Sequence, residues 1–213
     1  MVEAAVGGAE ADPGKSPGAP RRRRRKVFVA VGFFLAVVAM AVGGSLAWTV
    51  VLPTMHARGE YELVPHAAKV LDATEGLDRR ITSKLKIETD RGWDRTGAGH
   101  FTHQSWVSWA AFTGLVRVDV HFSRHGATAL KSGTAIAAAE MDKLGDRDAR
   151  PIGGLGDEAI GTPVPNGFQI DARDRNVVIR VSFNAPSKKW GEMEAHARPT
   201  AATALALLKE ANR

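Results

Sequence analysis

A basic run followed directly by a long apolar segment constrains this chain more than any other feature. Residues 27–52 carry no charged side chain, and the six residues before them are all basic: Arg21, Arg22, Arg23, Arg24, Arg25 and Lys26. About 20 helical residues cross a bilayer core of about 30 Å, so residues 27–52 are long enough to span it. Because Lys and Arg beside a membrane helix stay on the cytoplasmic side, we expect a single-pass protein of the cell membrane. Its N-terminus is then cytoplasmic and its C-terminal domain extracytoplasmic.

A cleaved signal peptide is the alternative to a retained anchor. Ser45 and Ala47 are small residues at the spacing that a signal peptidase reads. The apolar segment is longer than the usual signal core of about 7–15 residues, and it continues past Ala47 through Trp48, an aromatic residue suited to the outer interface. The sequence therefore favours an uncleaved anchor.

The anchor divides the chain into four predicted parts. They are a disordered basic tail (1–26), a transmembrane helix (27–52), a juxtamembrane linker (53–66) and an extracytoplasmic domain (67–213). Residues 1–26 carry seven basic and three acidic residues, and the remainder carries 22 against 20. Since the excess charge lies mainly in the tail, it indicates topology and contact with anionic lipid, and not binding of nucleic acid. The absence of cysteine excludes disulfides, thiolate catalysis and lipidation at cysteine.

Small residues recur along one side of the predicted membrane helix. Such spacing lets two helices approach closely and can produce a homodimer, although a helix rich in Ala and Gly also shows it by chance. The residues concerned are Gly32, Ala36, Ala39, Gly43 and Ala47.

Two hairpins are predicted in the outside domain. Apolar and polar residues alternate without exception over 116–123, which indicates a strand with one buried face. A strand-like segment at 104–112 precedes it, and Thr113-Gly114 predicts the turn between them. The segments 168–172 and 177–184, separated by a turn, predict a second hairpin.

Helical spacing of apolar residues predicts three helices beside these hairpins. They are expected at about 65–86, at 124–144 and from Pro199 onward, where Ala201, Leu205 and Leu208 form the apolar face. Residues 92–99 are rich in glycine and predict a loop. Hairpins with helices between and after them predict an α+β domain, an antiparallel sheet with helices packed on one face.

Residues 154–211 contain the sequence Gly154-Leu-Gly-Asp-Glu-Ala159, the strand Asn176-Val-Val-Ile-Arg-Val-Ser182 and an Ala/Leu-rich last helix. In these features the chain resembles actinobacterial extracytoplasmic domains. They include a lipoprotein family of unknown function and the sensor domain of a mycobacterial Ser/Thr kinase. The resemblance implies a domain of sheet and helices that binds a ligand or a partner. Those relatives usually carry cysteines, which this chain lacks.

Two histidine pairs are the candidates for a metal site. His100 with His103 and His121 with His125 could supply imidazole to Zn²⁺ or Cu²⁺. A site of four histidines without Cys or carboxylate is uncommon, so we expect no metal and no cofactor.

An enzyme is the alternative to a binding domain. A hydrolase of the cell envelope would use Asp157, Glu158 or a histidine, but adjacent residues of a strand diverge and no Gly-x-Ser-x-Gly motif is present. The sequence therefore favours ligand or protein binding without catalysis.

The alternation over 116–123 also predicts a binding surface on the polar face of the sheet. Arg117 and Asp119 lie on that face, opposite Val118. Trp106 and Phe112 share one face of the preceding strand, whereas Val107 and Trp109 share the other. One of the two tryptophans is expected to project toward a partner, and the predicted surface consists of Trp109, Arg117 and Asp119.

Overall fold

The computed structural model describes residues 21–77, 84–97, 100–111, 116–145, 148–185 and 190–213. Residues 1–20 of the predicted tail, the turn Thr113-Gly114, Phe112 and part of the predicted helix 65–86 lie outside these residues, whereas residues 21–26 of that tail belong to a helix. The chain divides into two compact units, residues 1–45 and residues 46–213.

Seven strands form a single sheet in which every neighbouring pair is antiparallel. Their order is β1-β2-β3-β7-β6-β5-β4. The strands are β1 (Lys86–Gly97), β2 (His100–Ala111), β3 (Val116–His125), β4 (Arg150–Pro151), β5 (Glu158–Val164), β6 (Gly167–Asp174) and β7 (Val177–Asn184). Both predicted hairpins are confirmed, as β2–β3 and β6–β7. The segment 92–97, expected to be a loop, is instead part of β1, because it pairs along its length with β2.

The helical segments are α1 (Arg21–Leu46), a π-helical turn (Ala47–Val51), α2 (Leu52–His56), α3 (Ala68–Ala73), α4 (Gly133–Leu144) and α5 (Trp190–Ala211). Within the described residues, the stretch Phe33–His56 is long and apolar enough to cross a membrane, a property that a signal helix shares. Pro53 explains the π-helical turn, since its ring displaces the carbonyl four residues earlier. The Thr54 hydroxyl donates to the carbonyls of Val50 and Val51 at 2.7 and 2.9 Å and satisfies them.

One face of the sheet, here called the core face, carries most of the hydrophobic core. Val118, Val120 and Phe122 of β3 are fully buried there beside the alternate residues of β7. Helices α3 and α5 pack against this face, and the predicted apolar side of α5 is buried. Helix α5 begins at Trp190 and not near Pro199, which lies inside the helix. The Thr200 hydroxyl donates to the His196 carbonyl in the same turn.

Helix α4 packs on the opposite face, here called the polar face. Ala137 and Met141 of α4 contact Val178 of β7, and Ile160 of β5 packs beside them. The α+β class and the antiparallel sheet are thus confirmed, with helices on both faces where the sequence predicted one. The predicted helix 124–144 begins only at Gly133, because β3 extends to His125. Ser132 caps the helix by accepting from the Ala135 amide at 3.1 Å.

The segment predicted to be a linker, 53–66, belongs to the folded domain. After His56 the chain reverses through Gly59, whose φ of 75° favours glycine. Tyr61 is then only 6% exposed and its amide donates to Asn176 Oδ1 at 2.7 Å. The Glu60 carboxylate accepts from the Thr134 amide at 2.9 Å. A linker prediction based on polarity missed these contacts, which depend on residues far away in the sequence.

Candidate functional site

Two rows of polar side chains cross the polar face beyond the end that α4 covers. Strand register places the members of each row side by side on four or five consecutive strands. The first polar row is Trp106, His121, Arg180 and Asp171, and the second polar row is Ser108, Asp119, Ser182, Gln169 and Thr162. Residues two apart on a strand are about 7 Å apart, so the rows form one continuous surface.

A buried ion pair fixes the centre of the first polar row. Asp171 is 0% exposed, and its two carboxylate oxygens accept from Arg180 Nε at 2.7 Å and from Gln169 Nε2 at 2.6 Å. Gln169 thus fixes the carboxylate, and the carboxylate in turn positions the guanidinium of Arg180. Among the described residues, the terminal nitrogens of Arg180 have no ion-pair partner. They are therefore free to donate to a ligand.

His121 lies beside Arg180 and under an aromatic wall. Trp93 of β1 stacks on the imidazole with ring centres 6.0 Å apart, and Trp106 meets Trp93 edge-on at 6.5 Å. Burial, and then the positive charge of Arg180, lower the pKa of His121 from its ordinary value of 6.5. At neutral pH the ring is thus uncharged. It can donate through one nitrogen and accept through the other.

Three buried polar atoms of the two rows have no hydrogen-bond partner among the described residues. They are His121 Nε2, Ser108 Oγ and Thr162 Oγ1. Such atoms are uncommon in folded proteins and each costs about 1–3 kcal/mol when left unpaired. They lie on β3, β2 and β5, so unmet hydrogen-bonding capacity extends across most of the polar face.

Glu140 of α4 borders the first polar row. Its carboxylate lies 2.7 Å from Nε2 of the buried His125. Burial acts to raise the pKa of Glu140. The hydrogen bond and charge of His125, and then the charge of Arg180, act in the opposite direction and outweigh burial, so the pKa is lowered. The carboxylate therefore stays ionised at neutral pH and closes the row on the α4 side.

The three residues of the predicted binding surface lie on two different faces of the sheet. Arg117 and Asp119 lie on the polar face, where Arg117 pairs with Glu88 at 2.5 Å and Asp119 accepts from Ser182 at 3.3 Å. Trp109 is 4% exposed and belongs to the core, because it pairs with Val118 on the core face. Of the two tryptophans of β2, Trp106 is the one on the polar face.

The predicted histidine pairs do not converge. His121 and His125 share a face of β3, but four residues along a strand separate them by about 13 Å. His103 lies 2.5 Å from Asp94 on the other side of the sheet, and the side chain of His100 lies outside the described residues. In the part of the chain that the structure describes, three or more potential metal ligands nowhere come together.

Asp157 and Glu158 have a structural partner. Arg173 of β6 contacts Asp157 at 3.2 Å and Glu158 at 3.4 Å. The preceding glycines form a tight turn, with φ of 62° at Gly156, where an added Cβ would lie 2.3 Å from the Arg173 carbonyl oxygen. This arrangement fixes the start of β5 and engages the two carboxylates that the hydrolase hypothesis named.

A polar pocket of about 490 Å³ lies at the C-terminal end of α5. Its charged groups satisfy one another: Asp174 accepts from the Tyr61 hydroxyl at 3.1 Å and pairs with Lys209 at 3.0 Å. Burial, and then the charge of Asp174, raise the pKa of Tyr61. We assign this pocket a structural role in holding Tyr61.

No protein-family model, no curated protein and no solved structure matches this chain.

Proposed function

We propose that this chain is a single-pass membrane-anchored binding protein whose extracytoplasmic domain recognises a neutral, polyhydroxylated ligand on the two polar rows. The basic run at 21–26 before the apolar helix supports a cytoplasmic N-terminus. The observation that carries the binding role is the guanidinium of Arg180, which Asp171 holds through Nε and whose terminal nitrogens have no ion-pair partner among the described residues.

The chemistry of the rows favours a sugar over a charged ligand. Asp171 neutralises Arg180, His121 is uncharged, Glu140 is paired with His125, and Asp119 adds one carboxylate, so there is little net attraction for either sign of charge. The rows instead place donors and acceptors side by side, which suits hydroxyl groups, since each hydroxyl both donates and accepts. Trp93 and Trp106 provide the flat apolar surface that the C–H side of such a ligand needs.

Binding is favoured over catalysis by the surroundings of His121. General-base catalysis by histidine needs a nucleophile or a water within hydrogen-bond reach. His121 Nε2 has no such protein partner in the described residues, and Asp157 and Glu158 are held by Arg173.

Two neutral disaccharides, cellobiose and chitobiose, test the ligand class on the full chain in mild detergent. Saturation at ten times Kd stabilises a folded protein by about 1.4 kcal/mol, which raises Tm by about 3–5 °C for a chain of this size. Trp93 and Trp106 should report the same binding by a change in fluorescence. Glucuronate at matched ionic strength should give a smaller effect.

Matched variants locate the site. Asp119→Asn and Trp106→Ala should abolish the saccharide-induced shift, whereas Asp90→Asn should retain it. Asp90 is the control because its carboxylate pairs with His66 on the core-face side of the sheet. Absence of any response to the neutral saccharides in the wild-type chain would contradict the proposed ligand. Protection of the domain from protease added outside spheroplasts would contradict the proposed topology.

A further inference from the structure

A cavity lies beside α4, and Glu140 and His125 line it together with residues of the loop that follows β3. It has a volume of about 430 Å³ and is formed by α4 and the loop that follows β3. Leu130, Ile136 and Ala139 give it an apolar wall, and Lys131 and Lys143 lie at its rim. The lining is thus amphipathic, with apolar side chains beside two amines.

This cavity lies next to the end of the apolar helix. His56, the last residue of α2, has its Nδ1 atom 2.9 Å from the Thr128 carbonyl oxygen, in the loop that forms the cavity. Glu60, four residues later, accepts from the Thr134 amide at the start of α4. Gly133 lets the start of α4 lie close to the end of β3, because an added Cβ would lie 2.2 Å from the His125 carbonyl oxygen. The cavity wall is therefore fixed beside the helix end.

The loop presents an apolar residue to the outside. Thr128 organises it: its hydroxyl accepts from the amides of Leu130 and Lys131 at 3.2 and 3.0 Å, and its amide donates to the Lys131 carbonyl at 2.8 Å. Leu130 is nevertheless 73% exposed at the loop tip. Hydrogen bonds thus fix the loop backbone around a large apolar side chain that has no cover.

We propose that this cavity binds the phosphate headgroup of an anionic membrane lipid, with Leu130 inserted among the acyl chains. The inference rests on the proposed membrane anchor, because the helix end brings the loop to the bilayer surface. Lys131 and Lys143 are exposed and, among the described residues, have no ion-pair partner, so both can pair with phosphate. Glu140 lies deeper and is paired with His125. A basic residue near an anionic bilayer strengthens binding about fivefold.

The absence of cysteine makes a site-specific probe straightforward. The full chain with Leu130→Cys, labelled with an environment-sensitive nitrobenzoxadiazole dye, is reconstituted in phosphatidylcholine bilayers with or without phosphatidylglycerol. We expect blue-shifted emission, and quenching by a headgroup nitroxide lipid, that increase with phosphatidylglycerol. The control is Ile87→Cys, an exposed apolar position on β1, whose label should remain water-like in both bilayers.

Lysine variants separate the headgroup from the acyl contact. In the labelled Leu130→Cys chain, Lys131→Gln or Lys143→Gln should each weaken the response to phosphatidylglycerol about fivefold. The control is Lys69→Gln, at an exposed position on α3, which should leave the response unchanged. Inorganic phosphate at matched ionic strength should have no effect, and an equal response to it would overturn the lipid as the source of the phosphate.

Carbonate extraction distinguishes the two ways in which the proposal can fail. A label at position 130 that stays in water, on a chain that resists extraction, overturns the lipid site and leaves the anchor standing. A chain that carbonate extracts overturns the anchor and the lipid site together.

Discussion

Asn176 is a buried clamp, and its removal gives the sharpest test of the fold. Its side chain is 1% exposed; Oδ1 accepts from the Tyr61 amide at 2.7 Å, and Nδ2 donates to the carbonyls of Tyr61 and His125 at 3.1 and 2.9 Å. Asn176→Ala leaves three buried backbone groups short of a bond, at about 1 kcal/mol or more each. We expect a loss of about 3–4 kcal/mol, which lowers Tm by about 10 °C at this chain length.

Asn212 supplies the matched control for this prediction. Its Oδ1 accepts from the amides of Glu62 and Leu63, both at 2.9 Å, and its Nδ2 donates to the Leu63 carbonyl, but these bonds are open to water. Asn212→Ala should therefore cost no more than about 1 kcal/mol, since water replaces the lost partner. Near-UV circular dichroism of the full chain in detergent, followed on heating, measures both variants. Equal decreases in Tm would refute the argument that burial makes Asn176 the stronger clamp.

Three further predictions concern other parts of the domain. Val118→Asp puts a charge into the core and should cost more than about 4 kcal/mol in urea unfolding. Arg117→Ala, at an exposed side chain on the polar face, should stay within about 0.5 kcal/mol. Equal losses would mean that both faces are buried there. Because burial lowers the pKa of His121, the unfolded chain takes up the proton first, so stability falls as pH decreases below about 6.5. His121→Gln should flatten the dependence of Tm on pH in that window, and an unchanged slope would contradict this. Gly133→Ala forces a Cβ against the His125 carbonyl and should lower stability by about 1–3 kcal/mol. Gly153→Ala should have little effect, because an added Cβ there meets nothing within 4 Å.

The two hairpins were predictable because their signal is local. Strict alternation over 116–123 requires one buried face, and Val118, Val120 and Phe122 occupy it. The same reasoning treated the other face as exposed and so missed that α4 packs on it. Val178, an apolar residue on the polar side of β7, is the position that signals the second packed surface, because Ala137 and Met141 cover it.

The candidate site was only partly predictable because it depends on register between distant strands. His121 and Arg180 are neighbours through the β3–β7 pairing, which no local pattern reveals. Trp93 was assigned to a loop because glycine and polar residues surround it, yet pairing with β2 overrides that local preference. Asp119 was found because alternation alone places it on the polar face.

Strand β3 connects the two proposed binding surfaces. Its middle carries Asp119 and His121 in the polar rows, and its last residue, His125, pairs with Glu140 and helps to line the cavity beside the apolar helix. Glu140 also acts on His121 electrostatically, in the direction opposite to burial. A lipid phosphate beside Lys143 would therefore add negative charge one helical turn from Glu140 and favour protonation of His121. Because protonated His121 loses its acceptor nitrogen, occupancy of the cavity should weaken any ligand that donates a hydrogen bond to that ring.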